Sequence, residues 1–295
     1  GLEVDHIDIQ AATQKGIIVL NAPQGSSASA IEYTLGMMLA LSRNIPQAYL
    51  SLKEGNWDRY KFIGSEIKDK VLGIVGLGRI GAGVAQRALA FKMQVLAYDP
   101  FVSESKAKEL GVSLVSLAEL LSKADYITLH LPATVDTRKM FNKEAFARMK
   151  KGVKLINCAH AEILDYEALI WALQEGIVSG SALDAWDKLD KHYTTLLSMP
   201  NVICTPRLAF KTQEAEAEVA ISVAKGVLAA LKSEPVATSL NIPPISKEMM
   251  EKIKPYLLLM EKMGILVVHL TEGRIKNIEV KYNGGISMAD TRMLT

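Results

Sequence analysis

Gly76, Gly78 and Gly81 stand in the spacing GxGxxG, and an acid, Asp99, follows 18 residues after the last of them. Glycines so spaced let a chain turn tightly, bring backbone N–H groups against a pyrophosphate and pack a helix close on a strand. The helix N-terminus that follows favours anionic phosphate oxygens. An acid roughly 20 residues on can take the ribose hydroxyls. No basic residue occurs between Pro100 and Ser105 to receive a 2'-phosphate, so NAD is favoured over NADP. An ordinary strand-to-helix turn is the plainer explanation of the glycines, and it leaves Asp99 unexplained.

The elements around these residues have the order such a pocket needs. The segment KVLGIVGLGRIGAGVAQRALAFKMQVLAYDP, from Lys70 to Pro100, reads as strand, glycine turn, helix, strand and terminal acid. Further on, short apolar runs at 112, 126, 154, 179 and 201 alternate with amphipathic stretches at 117, 144 and 166. That alternation predicts an α/β fold, a doubly wound parallel sheet, with ligands beyond the carboxyl ends of its strands. The residues just past those ends are therefore candidates: Leu131, Pro132, Thr134, Thr137, His160, the run Asp184 to Asp190, and Arg207. Thr137 could equally be a helix N-cap and Pro132 a strand terminator. Asp184 is expected to face the ligand crevice rather than the core.

Apolar-periodic helices are predicted over Ser29 to Arg43, Gln47 to Glu54 and Gln213 to Lys232. The stretch VDHIDIQAATQKGIIVLNAP near the start reads as a helix and then a strand. Asn241 to Pro244 is a linker signal, after which a helix from Ser246 to about Gly264 precedes the strand-like NIEVKY. Its methionines, Met249, Met250, Met260 and Met263, are expected to fill a core.

Composition excludes several classes of function. Of 295 residues, 49% are apolar and 22% charged, the balance of a globular protein of about two domains. The 34 basic and 32 acidic residues are interspersed, so no nucleic-acid partner is expected. No apolar run reaches the ~18 residues of a membrane span and no signal peptide opens the chain, so no membrane partner and a cytoplasmic location are expected. Cys158 and Cys204 lie in apolar runs and should be free thiols. The five histidines show no ligand spacing, so no metal is expected.

GLGRIG, YDP, TLHLPATVDTR, LINCA, ALDAW and MPNVICTP, together with VDHIDIQAATQKGIIVLNAP, make the chain resemble the D-isomer-specific 2-hydroxyacid dehydrogenase family along its length. The tail VVHLTEGRIKNIEVKYNG with ADTRMLT resembles the start of the intervening domain of long-form members. The resemblance implies a Rossmann nucleotide domain over 28–207, remnants of a flavodoxin-like substrate domain at 1–27 and 208–240, and the start of an α+β intervening domain over 241–295. The missing part of the substrate lobe and the abrupt ends lead to the expectation of a fragment. It also implies NAD(H) as cofactor, a small 2-hydroxy acid as possible substrate, and a homodimer formed through the nucleotide domain near Ser29 to Arg43. A missing lobe could instead cover that helix.

By the same resemblance Gly76, Gly78, Arg79, Ile80 and Gly81 approach the pyrophosphate and Asp99 the ribose. Leu131, Pro132 and Thr137 fall on the adenosine side, and Cys158, Ala159 and Asp184 on the nicotinamide side. The family's chemistry uses a histidine base, a glutamate that orients it and an arginine that grips the carboxylate. The matching positions hold Arg207, Leu189 and His160. A guanidinium cannot accept a proton at biological pH, and loss of a positioned acid/base typically costs about 10²- to 10⁴-fold in rate. Nearby positions differ too: Ala161-Glu162 and Ala209-Phe210 replace small residues, and Glu3 and His6 alter the expected carboxylate loop. Turnover is therefore expected to be very slow. A non-catalytic NAD-binding protein, or a regulatory partner of an active relative, is the alternative reading. In a further one, His160 serves as base and Arg207 as carboxylate grip, with Glu162 or Asp187 as the orienting acid.

Overall fold

The computed structural model describes residues 7–22, 25, 27–186, 191–232, 234–236, 238–242, 247–271, 278–281 and 283. It divides into two compact units, Ser26–Ala215 and the pair of segments Gly1–Gly25 and Glu216–Thr295.

The first of these units is built on seven parallel strands: β1 (Val71–Val75), β2 (Gln94–Tyr98), β3 (Ser113–Leu114), β4 (Tyr126–Leu129), β5 (Val153–Asn157), β6 (Val178–Leu183) and β7 (Val202–Cys204). Their order in the sheet is β3-β2-β1-β4-β5-β6-β7. The order reverses between β1 and β4, and a crevice for ligands opens at such a switch point. The inner strands are almost wholly apolar because helices cover both faces of the sheet. Side chains alternate between two cores: Val75, Leu129, Leu155 and Leu183 enter one, and Leu72, Ile74, Ile156 and Ala182 the other.

In chain order the helices are α1 (Ile9–Gln14), α2 (Ser27–Arg43), α3 (Ile45–Lys53), α4 (Arg79–Ala90), α5 (Glu104–Glu109), α6 (Leu117–Lys123), α7 (Lys143–Ala147), α8 (Tyr166–Gln174), α9 (Tyr193–Ser198), α10 (Gln213–Leu231) and α11 (Lys247–Leu270). The apolar side of α2, through Ile31, Leu35, Met38 and Leu41, lies in the same core as Val84, Ala85 and Ala88 of α4. Asn44, in the left-handed region at φ 53°, separates α2 from α3, which starts at Ile45, two residues earlier than the apolar period predicts, with Pro46 in its first turn.

In the other unit the strand expected after Gly16 is reduced, among the described residues, to one bridge, Leu20 to Ser239. Asn241 there does more than join domains. Its side chain donates to the carbonyl of Ile17 (2.8 Å) and the hydroxyl of Thr13 (3.0 Å), and its Oδ1 accepts from the Val19 amide (2.8 Å). The helix α11 continues six residues beyond Gly264. Met263 is 49% exposed, and Met249 and Met260 are half-buried, because filling a core needs a facing layer and the described residues supply none over Met263. The described part of NIEVKY, residues 278–281, forms no strand, and Met250 carries no described side-chain surroundings.

Candidate functional site

At the end of β1 the chain turns through Gly76, at φ 97°. A Cβ there would stand 2.6 Å from the carbonyl oxygen of His130, which follows β4, so only glycine fits at the switch point. A Cβ on Gly81 would collide with the Gly76 carbonyl. Gly78 differs, since a Cβ there would meet nothing within 4 Å. It is the N-cap of α4 and makes no side-chain cap bond, whereas Asp8, Ser103, Ser116, Asn142 and Asp165 each cap their helices with a side chain. The first turn of α4 holds no acid and begins with the exposed Arg79. Uncapped N–H groups, open space at Gly78 and a cation fit a pyrophosphate. Ile80 is half-buried beneath them.

Asp99 follows β2 directly. Its Oδ2 accepts from the Leu77 amide (2.8 Å) and its Oδ1 from the Phe101 amide (2.9 Å). The carboxylate thus ties the glycine turn to the end of β2 and still has acceptor sites for ribose hydroxyls.

Across the switch point, Leu131, Pro132, Thr134 and Thr137 follow β4. Thr137 caps no helix. Its hydroxyl donates to the Pro132 carbonyl (2.6 Å) and accepts from the Thr134 amide (2.8 Å), closing the loop on itself. His130, which the sequence offered only as one histidine of five, belongs here. Its Nε2 lies 3.0 Å from the Thr128 hydroxyl, and burial pushes its imidazole down to about 4, so the ring is neutral.

At the ends of β5, β6 and β7 a single network joins the remaining candidates. The Asn157 side chain, fully buried, donates to the His160 carbonyl (2.8 Å) and accepts from the Ala159 amide (3.0 Å), and its carbonyl accepts from the Asp184 amide (3.0 Å). Contrary to the expectation that it would face the crevice, Asp184 is only 2% exposed. A buried carboxylate needs donors. This one accepts from the Thr205 hydroxyl (2.7 Å) and the amides of Leu208 and Ala209 (2.8 Å each), holding the loop after β7. Its carbonyl accepts from the Arg207 amide (3.2 Å), and Arg207 takes the left-handed φ of 58°. His160, Asp184 and Arg207 are thus brought to the ends of adjacent strands.

The Cys158 side chain packs in the α2–α4 core, where burial and the Asp184 charge push its thiol up to about 12. Both cysteines are free. Tyr33 on α2 is a neighbour the sequence did not single out. Burial raises its phenol pKa, with Asp184 and Cys158 adding to the shift against an opposing hydrogen bond with Thr205. Glu162 is exposed, its carbonyl accepting from the Lys139 amide (2.7 Å). Leu189, Asp187, Glu3 and His6 lie outside the described residues. Among the described residues no His, Cys, Asp and Glu group could hold a metal ion, and no helix is long and apolar enough to cross a membrane.

A parallel sheet of this order, with an uncapped glycine turn at its switch point and an acid after β2, defines a dinucleotide-binding protein. The chain belongs to the D-isomer specific 2-hydroxyacid dehydrogenase family: residues 35–209 match its NAD binding domain, and residues 252–295 match the D-3-phosphoglycerate dehydrogenase intervening domain. It is 44% identical to the D-3-phosphoglycerate dehydrogenase of Bacillus subtilis over all of its own length and 56% of that protein's. For that of Methanocaldococcus jannaschii the identity is 43%, with 100% and 56% covered. The chain spans about half the length of these curated relatives. A D-lactate dehydrogenase from Aquifex aeolicus, solved with NAD and lactic acid, superposes with a TM-score of 0.74 at 34% identity, covering 82% of this chain and 79% of that one. The apo D-lactate dehydrogenase of Escherichia coli gives 0.76 at 30%, covering 81% and 76%.

Proposed function

We propose that this chain is the cofactor-holding part of a cytoplasmic protein similar to D-3-phosphoglycerate dehydrogenase, which binds NAD(H) but turns over 2-hydroxy acids very slowly or not at all. The uncapped start of α4 at the open Gly78, beside Asp99, carries the reading. In it Gly76, Gly78, Arg79, Ile80 and Gly81 receive the pyrophosphate, Asp99 the ribose, and Leu131, Pro132 and the loop tied by Thr137 the adenosine side. The backbone at Cys158 and Ala159, with the Asp184-held loop, borders the nicotinamide, which supplies hydride chemistry when bound. Arg207 in the base position supports slow turnover, because a guanidinium keeps its proton.

The assay is NADH binding and NAD reduction by the full-length protein with 3-phosphoglycerate and a panel of 2-hydroxy acids. It is run beside a variant carrying His160→Arg, Leu189→Glu and Arg207→His. Tight NADH binding, negligible reduction and rescue in the triple variant are expected. Failure to bind NADH overturns the reading, and substantial turnover by the unaltered protein overturns its non-catalytic part. Because His160 and Arg207 hang from one Asn157–Asp184 network, a second reading gives them exchanged roles as base and carboxylate grip. His160→Gln would then abolish NAD reduction, and unchanged reduction would exclude it.

The proposed homodimer uses α3 and the segment after it rather than α2, whose apolar side faces its own core. Leu50, Trp57, Tyr60 and Ile63 are all more than half exposed there.

A further inference from the structure

Asn44, Gln47, Ser51 and Glu54 recur at intervals of three, four and three residues, so they share one side of α3 and its two caps. That side borders a cavity of about 390 Å³, together with Leu50, Lys61, Phe62 and Pro200. Pro200 precedes β7, so the cavity lies at the amino ends of the strands, the opposite end of the sheet from the glycine turn. Its volume equals roughly 13 waters at ~30 Å³ each, space for a molecule of about a dozen non-hydrogen atoms. Trp57, Tyr60 and Ile63, of the surface proposed for the homodimer, do not border it.

The polar groups of the lining narrow the occupant. The Gln47 Nε2 donates to the Pro200 carbonyl (3.0 Å), and since a carbonyl can only accept, this bond fixes which way the amide faces. The Gln47 Oε1 is left buried, and among the described residues it is the one buried side-chain oxygen or nitrogen without a partner. A buried acceptor calls for a donor. Asn44 reaches the Ile63 carbonyl and Ser51 that of Asn56 only at 3.5 Å, the outer limit of a hydrogen bond, so both can turn to a ligand. No ion pair among the described residues engages Glu54 or Lys61. The lining thus offers one carboxylate, one ammonium and an unmatched acceptor beside apolar Leu50, Phe62 and Pro200. A simple anion would meet Glu54 as a like charge, and a simple cation Lys61. A zwitterion finds an opposite charge for each of its ends.

We propose that this cavity binds an α-amino acid with a large apolar side chain, its ammonium donating to Glu54 and the Gln47 Oε1, its carboxylate on Lys61 and its side chain against Leu50, Phe62 and Pro200. The site goes beyond the proposed function and requires neither turnover nor bound NAD.

Isothermal titration calorimetry of the full chain with L-phenylalanine and L-leucine is expected to show saturable binding. Phenethylamine lacks the carboxylate, hydrocinnamate the ammonium and glycine the apolar body, and each should bind about 10-fold or more weakly than L-phenylalanine. Glu54 and Lys61 are exposed, so Glu54→Gln and Lys61→Gln leave the core untouched, and each should weaken L-phenylalanine binding by roughly 10-fold, the loss of one charge-assisted pair. Gln47→Leu removes the unmatched acceptor and leaves the Pro200 carbonyl, on an exposed residue, to water, so it should weaken binding as well. No saturable binding of either amino acid, equal affinity for any of the three analogues, or indifference to Glu54→Gln or Lys61→Gln would overturn the proposal. NADH titration and circular dichroism of the same samples show that each variant is folded and separate this failure from failure of the cofactor site.

Discussion

Gly78 and Gly81 stand three residues apart in one motif and are glycine for opposite reasons. A methyl on Gly81 has a carbonyl in its way, so Gly81→Ala should cost about 1–3 kcal/mol in urea unfolding and weaken NADH binding with it. A methyl on Gly78 meets nothing, so Gly78→Ala should leave stability within about 0.5 kcal/mol while lowering NADH affinity. Unchanged NADH affinity in Gly78→Ala would mean that phosphate does not approach there. The spacing alone told of both glycines and of Asp99, since the motif is local. It could not tell that Asp184 turns inward, because the amides that claim its carboxylate, at Leu208 and Ala209, come from a loop more than 20 residues away. His130 was equally hidden, as its role rests on a contact between the ends of two strands.

Helices here are delimited by side chains that accept from their first amides. Asp165 caps α8, accepting from the Ala168 amide at 3.2 Å and pairing with Lys139 at 3.4 Å. Burial pushes its carboxyl upward, but the Ala168 amide and Lys139 outweigh that and hold it below the ordinary 3.8. A depressed carboxylate stabilises the fold above its unfolded value, and the contribution fades as pH falls through its lower folded one. Asp165→Ala should therefore cost about 1 kcal/mol near neutrality, with the gap to the unaltered protein closing below about pH 4 in acid unfolding followed by circular dichroism. A gap that persists into strong acid would show that the charge is not what holds the helix. Existence of most elements was readable from apolar period and turn residues, while their ends were not. Among the described residues the Ile17–Leu20 run forms its one bridge at Leu20, with Ser239 more than 200 residues on, and α11 runs past a glycine that its pattern marks as a stop.

For the molecule as a whole, the sheet order puts all the cofactor candidates at the carboxyl ends of neighbouring strands, an outcome the βαβ alternation already implied. What encloses α3 is a separate matter. If the proposed homodimer forms there, Trp57→Glu with Ile63→Glu should give a monomer in analytical ultracentrifugation and leave NADH binding intact. A dimer that survives both changes would move the interface elsewhere. The loop carrying Arg207 bears on the molecule in one more way. Asp184 anchors it through the Thr205 hydroxyl and the amides of Arg207, Leu208 and Ala209, and none of these bonds involves the side chain at 207. The left-handed backbone there costs roughly 1–2 kcal/mol for any residue with a Cβ, histidine and arginine alike. Exchanging one for the other leaves each of the Asp184 bonds to the loop in place, so at this one position the group presented to a ligand can change while the backbone that presents it does not.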